Sequence, residues 1–236
     1  MLNTGHSAIP EYPPNVLKYP KFYNSLEKII ILEPGDMLYI PPMWFHWIHS
    51  YPDENLENFA VSFNIIKVKE VFNRFEAEIP FVFHLDKNTE DFLNINPVVF
   101  QDNTFKHKII LSENRTIVPV KKSSLDIYPN KIELSMKEIF LLKKKKKYNI
   151  SIGQNSSLNY NLNIKTPKVL ENSFPGSKFI QYLWMYYIKD NDSYIDTGLH
   201  VDRVYNVLCQ VKGKKVIRLY HPGTSDNMYI QPMEFI

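Results

Sequence analysis

The fold is indicated by one stretch, Thr-Gly-Leu-His-Val-Asp-Arg-Val-Tyr-Asn-Val-Leu-Cys-Gln-Val-Lys-Gly-Lys-Lys-Val-Ile-Arg-Leu-Tyr, which runs from Thr197 to Tyr220. Its β-branched and aromatic runs, Val204–Leu208 and Val216–Tyr220, predict two strands joined by a turn that contains glycine. Successive antiparallel strands of this kind build jelly rolls. The stretch therefore predicts a mainly β fold with some helix, built as a jelly roll.

The same stretch carries a His-x-Asp pair, His200 and Asp202. Residues i and i+2 of a strand point to the same face, so this imidazole and this carboxylate could hold one metal ion from one side. A solvated strand end is the alternative interpretation of the pair. Facial sites for Fe(II) use two histidines and one carboxylate, and the chain would have to supply the second histidine elsewhere.

That histidine is found near the other end of the chain, in the segment from Leu32 to His49. Pro34-Gly35-Asp36 is a turn signal. Met37–Ile40 predicts a short buried strand, and Trp44–Ile48 predicts the beginning of another strand that carries His46. A core histidine packed between aromatic residues is the alternative interpretation of His46.

The motif Pro-Gly-Asp-x-Leu-Tyr-Ile-Pro-x-x-Trp-x-His, which ends at His46, resembles the third-ligand motif of the JmjC, cupin-like 2-oxoglutarate oxygenases. His49 does not fall at the ligand position. The resemblance implies a double-stranded β-helix, the cupin-like form of the jelly roll. It also implies that His46, His200 and Asp202 are catalytic residues that hold Fe(II), with 2-oxoglutarate as the co-substrate.

The resemblance extends to the co-substrate site. Lys215, which ends Gly-Lys-Lys, matches the family lysine that pairs with the distal carboxylate of 2-oxoglutarate. Thr197 and Asn206 match positions that hydrogen-bond the co-substrate, and Asn64 is a weaker candidate. Lys214 and Lys215 could instead simply make a surface hairpin soluble.

Within the family, the chain is most similar to the tRNA wybutosine-synthesizing hydroxylases. The resemblance implies a dioxygenase that hydroxylates a modified tRNA base. One alternative is a JmjC hydroxylase or demethylase that acts on a protein side chain. Another is a non-catalytic, cupin-like binding protein that keeps the motifs without the chemistry.

The two motifs stand in the reverse of the family order, because the His46 motif comes first and the His-x-Asp motif comes last. We therefore predict the C-terminal half of a jelly roll over residues 1–66, a linker helix over 67–77 and the N-terminal half over 78–236. The halves could close within one chain, as in a circular permutation. They could also derive from two successive domains and pair in a swapped homodimer.

Composition narrows the function classes only in part. The chain has 236 residues, 44% of them hydrophobic, with a net charge of +3 that permits a nucleic-acid partner without requiring one. A single cysteine, Cys209, excludes a disulfide framework within the sequence and favours a reducing compartment, cytoplasmic or nuclear. No apolar run is long enough to predict a membrane span or a signal peptide.

Other elements are predicted from local patterns. A capping box predicts a helix over Ser135–Leu142, and its end at Lys143–Lys147 is either a solvated surface or a phosphate-binding patch. Phe179–Ile188 predicts a strand. The remaining predictions are a helix at Thr89–Leu93 and strands at Asn96–Phe100 and Thr116–Val120.

Overall fold

The computed structural model describes residues 5–67, 79–85, 106–112, 131–152 and 166–230. Its strands are β1 (Gly5–His6), β2 (Glu27–Leu32), β3 (Asp36–Ile40), β4 (Phe45–Tyr51), β5 (Glu57–Lys67), β6 (Phe81–His84), β7 (Lys106–Ser112), β8 (Lys131–Ser135), β9 (Asn149–Ile152), β10 (Lys178–Tyr187), β11 (Ile195–Asp196), β12 (His200–Val201), β13 (Tyr205–Lys212) and β14 (Lys214–Tyr220). The helices are α1 (Met136–Lys145) and α2 (Lys168–Ser173), and short 3-10 helices span Pro20–Asn24 and Pro222–Asn227.

The strands form two antiparallel sheets. The small sheet has the order β1-β12-β4-β14-β2, with β11 also paired to β4. The large sheet has the order β6-β3-β13-β5-β10-β9-β7-β8. This arrangement confirms the predicted mainly β, jelly-roll class.

Strands from the two ends of the chain alternate within both sheets. In the small sheet, β4 lies between β12 and β14, which follow it by more than 140 residues in the sequence. In the large sheet, β13 lies between β3 and β5. Strands of residues 5–67 therefore pair with strands of residues 178–220 in both sheets, and the two sets share one interior.

The interior between the sheets is apolar at its centre. Alternation along the strands sends Leu38 and Ile40 of β3 inward, while Met37 and Tyr39 contribute to a separate cluster on the outer face of the large sheet. The inner cluster joins both sheets through the buried side chains of Ile30, Leu32, Leu38, Ile40, Trp44, Ala60, Leu208, Ile217 and Leu219.

Two further clusters cover the outer faces of the sheets. Helices α1 and α2 pack Met136, Ile139 and Leu170 against the outer face of the large sheet. The loops near both ends of the described chain cover the small sheet, where Trp47 packs with residues such as Phe22. Trp47 lies in this outer cluster and Trp44 in the inner one, so both are core residues.

Helix α1 begins as its sequence predicts. The Ser135 backbone N–H donates to the Glu138 carboxylate at 2.8 Å, and the Glu138 backbone N–H donates to the Ser135 hydroxyl at 3.4 Å. These two bonds satisfy donors that a helix N-terminus otherwise leaves unpaired. The predicted strand at Phe179–Ile188 is also present, as β10.

The turn between β13 and β14 is tighter than the sequence predicts. The predicted connection began at Cys209, but β13 continues to Lys212 because Cys209 and Val211 are buried in the outer cluster of the large sheet. Gly213 alone makes the turn, with a φ of +70°. A Cβ at Gly213 would lie 2.6 Å from the Tyr51 carbonyl oxygen, so this position requires glycine.

Several predicted elements lie outside the described residues. These are the linker helix, the helix at 89–93 and the strands at 96–100 and 116–120. Lys67, the first residue of the predicted linker helix, is described and is the last residue of β5. Within the described ranges, no helix is both long and apolar enough to cross a membrane. The Cys209 thiol is buried in β13, and burial raises its pKa.

Candidate metal centre

The candidate metal centre is built on the pairing of β4 with β12. His46 lies directly opposite His200 in the antiparallel register, and their ring centroids are 4.0 Å apart. Phe45 and Trp47, the neighbours of His46, are in the outer cluster of the small sheet, so alternation points His46 into the interior. One ligand candidate from each end of the chain thus faces the same space.

Asp202 completes the group two residues after His200. Its Oδ2 atom lies 3.7 Å from Nε2 of His46. One nitrogen or carboxylate oxygen from each of His46, His200 and Asp202 lies within 4.8 Å of the others, a grouping found once among the described residues. The Met43 backbone N–H donates to the Asp202 carbonyl at 2.8 Å, which ties this strand end to the loop before β4.

Backbone carbonyls orient both imidazole rings. Nδ1 of His46 lies 3.0 Å from the Trp44 carbonyl, and Nδ1 of His200 lies 2.9 Å from the Gly198 carbonyl. A carbonyl only accepts, so each Nδ1 carries the proton and each Nε2 presents a lone pair. This is the arrangement that metal-ligating histidines normally adopt.

The electrostatics of His200 also suit a ligand. Burial and, after it, the neighbouring His46 lower the pKa of His200 to about 4, although Asp202 acts in the opposite direction. A neutral imidazole is the form that binds a metal ion. The donor chemistry, two imidazoles and one carboxylate on one side, fits a facial Fe(II) site with open positions.

Lys215 lies deeper in the same interior and is only 2% exposed. Its Nζ donates to Ser50 Oγ at 2.6 Å and to Asn58 Oδ1 at 2.8 Å, and it stands 4.7 Å from the centre of the Tyr186 ring. Burial lowers the pKa of Lys215 to about 7. The interpretation of this lysine as a surface solubiliser is therefore wrong, because its side chain is buried.

Asn64 and Asn206 are directly paired across β5 and β13. Alternation puts both on the inner face, next to the inward-pointing Leu208. The Oδ1 atoms of both amides are buried and have no hydrogen-bond partner among the described residues. Buried polar atoms are normally satisfied, so this pair indicates that a ligand or ordered water supplies the missing donors.

Thr197 is placed differently from the other predicted co-substrate residues. Its hydroxyl lies 3.3 Å from the Ile48 backbone nitrogen and 3.4 Å from the Ile48 carbonyl oxygen. These contacts hold the strand end before β12 against β4. Thr197 lies near the metal centre, and its role toward 2-oxoglutarate stays a prediction.

Sequence reasoning missed four residues of this interior, namely Ser50, Asn58, Tyr186 and His6. Asn58 precedes Ala60, Ser62 and Asn64 at period two, so strand alternation alone could have identified it. His6 has no comparable sequence signal. It pairs in register with His200, and the two rings are stacked with centroids 5.6 Å apart.

Comparisons with known proteins agree with this geometry. Residues 3–66 match the cupin-like domain family. A protein of Acanthamoeba polyphaga mimivirus that is named for a JmjC domain is 28% identical over an alignment 229 residues long, and the alignment covers 91% of this chain. Both matches support a cupin-like JmjC domain. The chain spans a little over a third of that relative, 37% of its length, and no solved structure matches.

Proposed function

We propose that this protein is an Fe(II)- and 2-oxoglutarate-dependent dioxygenase that hydroxylates its substrate. The observation that carries the proposal is the convergence of His46, His200 and Asp202, with both histidine Nε2 atoms available. The cupin-like and JmjC matches support the class of 2-oxoglutarate-dependent oxygenases and demethylases. When bound, the metal and 2-oxoglutarate together would supply the activation of dioxygen.

The residues around the centre would have separate tasks. His46, His200 and Asp202 would hold the metal from one side and leave the opposite positions open. The Lys215 ammonium would bind the distal carboxylate of 2-oxoglutarate through a charge-assisted contact, which selects a diacid of the right length. The amide N–H groups of Asn64 and Asn206 would donate to oxygens of 2-oxoglutarate, and their unpaired amide oxygens would accept from water or substrate.

We further propose a modified tRNA base, of the wybutosine type, as the substrate. The supporting observation is a run of exposed lysines, Lys144–Lys147, at the C-terminal end of α1. Exposed lysines of this kind attract a phosphate backbone and make binding dependent on salt. The alternatives, a protein side chain as substrate or a non-catalytic binding role, are outcomes of the tests below.

The first test is anaerobic Fe(II) binding with and without 2-oxoglutarate, together with the mass of the protein in solution. We expect one iron per chain, a visible charge-transfer band when 2-oxoglutarate is added, and loss of both in His46→Ala. Binding by a monomer would support closure of the site within one chain. Absence of iron binding in the wild type would contradict the oxygenase proposal and favour the binding protein.

The second test addresses the substrate. Formation of succinate from 2-oxoglutarate would be measured with unmodified and hypermodified tRNA and with a peptide library. Stimulation by tRNA, together with tRNA binding that weakens as salt increases, is the expected result. Stimulation by a peptide alone would replace the tRNA substrate with a protein side chain.

A further inference from the structure

A buried carboxylate lies on the opposite side of the small sheet from the metal centre. Asp196 is 2% exposed, and its side chain faces the outer cluster that contains Trp47. The indole Nε1–H of Trp47 donates to Asp196 Oδ1, and the Gly198 backbone N–H donates to the same oxygen at 2.7 Å. Nothing in the oxygenase chemistry proposed above uses this carboxylate.

The carboxylate sits beside an irregularity in the strand pairing. Asp196 pairs with His49 of β4, and His200 pairs with His46 of the same strand. On β4, two residues lie between His46 and His49. On the opposite strand segment, three residues, Thr197–Leu199, lie between Asp196 and His200. The extra residue makes a bulge, and Gly198 adopts a φ of +71° within it.

The bulge determines the orientation of a metal ligand. The Gly198 carbonyl accepts the hydrogen bond from Nδ1 of His200, while the Gly198 N–H is held by Asp196. The peptide group before Gly198 is therefore held by Asp196, and the peptide group after it is held by His200. A residue that fixes Gly198 also fixes the ring that carries the free Nε2.

We propose that Asp196 is a positioning residue for the metal centre, because it joins Trp47 of β4 to the bulge that orients His200. The metal-binding test of this inference rests on the proposed function, whereas the test on the metal-free protein does not. Asp196 links the two ligand-bearing strands from outside, since His46 precedes Trp47 directly and His200 follows the bulge. Groups that are hydrogen-bonded directly to a metal ligand change affinity by about 10- to 100-fold when they are removed, and Asp196, which acts through Gly198, should fall at the low end of this range.

Two substitutions at Asp196 distinguish loss of the hydrogen-bond acceptor from a change that keeps the volume of the side chain. Asp196→Ala removes the acceptor from both Trp47 and Gly198. Asp196→Asn keeps an oxygen at the Oδ1 position, and its amide nitrogen would replace Oδ2, which lies 3.6 Å from His49 Nε2. The His49 Nε2 atom is buried, so in Asp196→Asn its neighbour changes from a carboxylate oxygen to an amide nitrogen of similar size.

The first readout uses the metal-free protein. Nitrogen-15 NMR of the His200 ring reports which nitrogen carries the proton. We expect a protonated Nδ1 in the wild type and in Asp196→Asn, and a mixture of tautomers in Asp196→Ala. An unchanged His200 spectrum in Asp196→Ala would overturn the proposal.

The second readout is the affinity for Co(II), followed by its visible absorption. We expect Asp196→Ala to lose at least about tenfold in affinity and Asp196→Asn to stay within about threefold of the wild type. Ile139→Ala, in α1 on the other outer cluster, controls for general destabilisation. If Ile139→Ala lost as much affinity as Asp196→Ala, the proposal would fail.

A further variant covers the case in which Asp196→Ala does not fold. Gly198→Ala keeps the carboxylate but disfavours the left-handed backbone of the bulge, so it should also weaken Co(II) binding and alter the His200 tautomer. Wild-type behaviour of Gly198→Ala in both readouts would overturn the proposal. Failure of the wild type to bind Co(II) would contradict the proposed function, while the tautomer measurement would still decide the role of Asp196.

Discussion

Lys215 and Ser50 lie opposite each other on β14 and β4, and the Lys215 Nζ donates to the Ser50 hydroxyl at 2.6 Å. Ser50 and His46 stand four residues apart on the same face of β4, a separation of about 13 Å along a strand. One strand thus carries both the metal ligand and the serine that accepts a hydrogen bond from the buried lysine.

We predict that His46→Ala, His200→Ala and Asp202→Ala each weaken binding of Fe(II) or Co(II) by about a hundredfold or more, because loss of a direct ligand exceeds the effect of an outer partner. Isothermal titration under anaerobic conditions measures this. His84→Ala is the control, since His84 is exposed on β6. Wild-type metal affinity in any of the three ligand variants would exclude that residue from the centre.

Replacement of Lys215 should affect the co-substrate rather than the metal. Lys215→Met removes the ammonium and keeps most of the side-chain volume, so we expect the Kd for 2-oxoglutarate to rise by about tenfold or more. The metal affinity should stay unchanged. Lys214→Met is the neighbouring control, because the Lys214 Nζ lies over the Tyr51 ring at 5.7 Å instead of in the interior. An equal effect of both variants would argue against a specific role for Lys215.

The pH dependence of 2-oxoglutarate binding should report on the same lysine. Burial lowers the pKa of Lys215 to about 7, so the amine is largely neutral above that pH in the free protein. A bound carboxylate favours the ammonium, and binding must then take up a proton. We expect the affinity to be flat below about pH 7 and to fall by up to about tenfold per pH unit above it.

Lys215→Arg provides the control for this pH profile, because a guanidinium stays charged throughout the range. Calorimetry in buffers of different ionisation enthalpy would count the proton taken up by the wild type near pH 8. A flat profile in the wild type, or the same slope in Lys215→Arg, would assign the pH dependence to another group.

The turn at Gly213 should tolerate substitution less well than the turn at Gly35. Both glycines have a positive φ, but a Cβ at Gly213 meets three atoms within 3 Å, whereas a Cβ at Gly35 meets nothing within 4 Å. We expect Gly35→Ala to reduce the free energy of unfolding by about 1 kcal/mol and Gly213→Ala by clearly more. Urea unfolding of both variants measures the difference, and equal losses would show that steric overlap is unimportant there.

The sequence predicts the elements of the metal centre well, because its motifs are local. His200 and Asp202 are two residues apart, and the turn and prolines before His46 delimit its strand. The strands β3, β4, β13 and β14 follow from alternation and β-branched runs. The convergence of His46 with His200 could only be expected from the resemblance, since no local pattern specifies which distant strands pair.

The surroundings of the centre depend on register and were harder to predict. Ser50 and Asn58 reach Lys215 from β4 and β5, and Asp196 reaches Gly198 through a one-residue bulge. A shift of one residue in either pairing would turn these side chains to the other face. The length of β13 was also underestimated, because burial of Cys209 and Val211 in the outer cluster carries the strand further than its turn residues suggest.

Because strands from the two ends of the chain alternate in the sheets, the complete metal centre forms only when both ends have folded together. A fragment that held β4 without β12 would carry one ligand, and a fragment that held β12 without β4 would carry two. Neither would hold the ion from one side with three groups. Tight metal binding would therefore distinguish fully assembled molecules from partly folded or truncated ones. Bound metal would in turn stabilise the pairing of the first third of the chain with the last third.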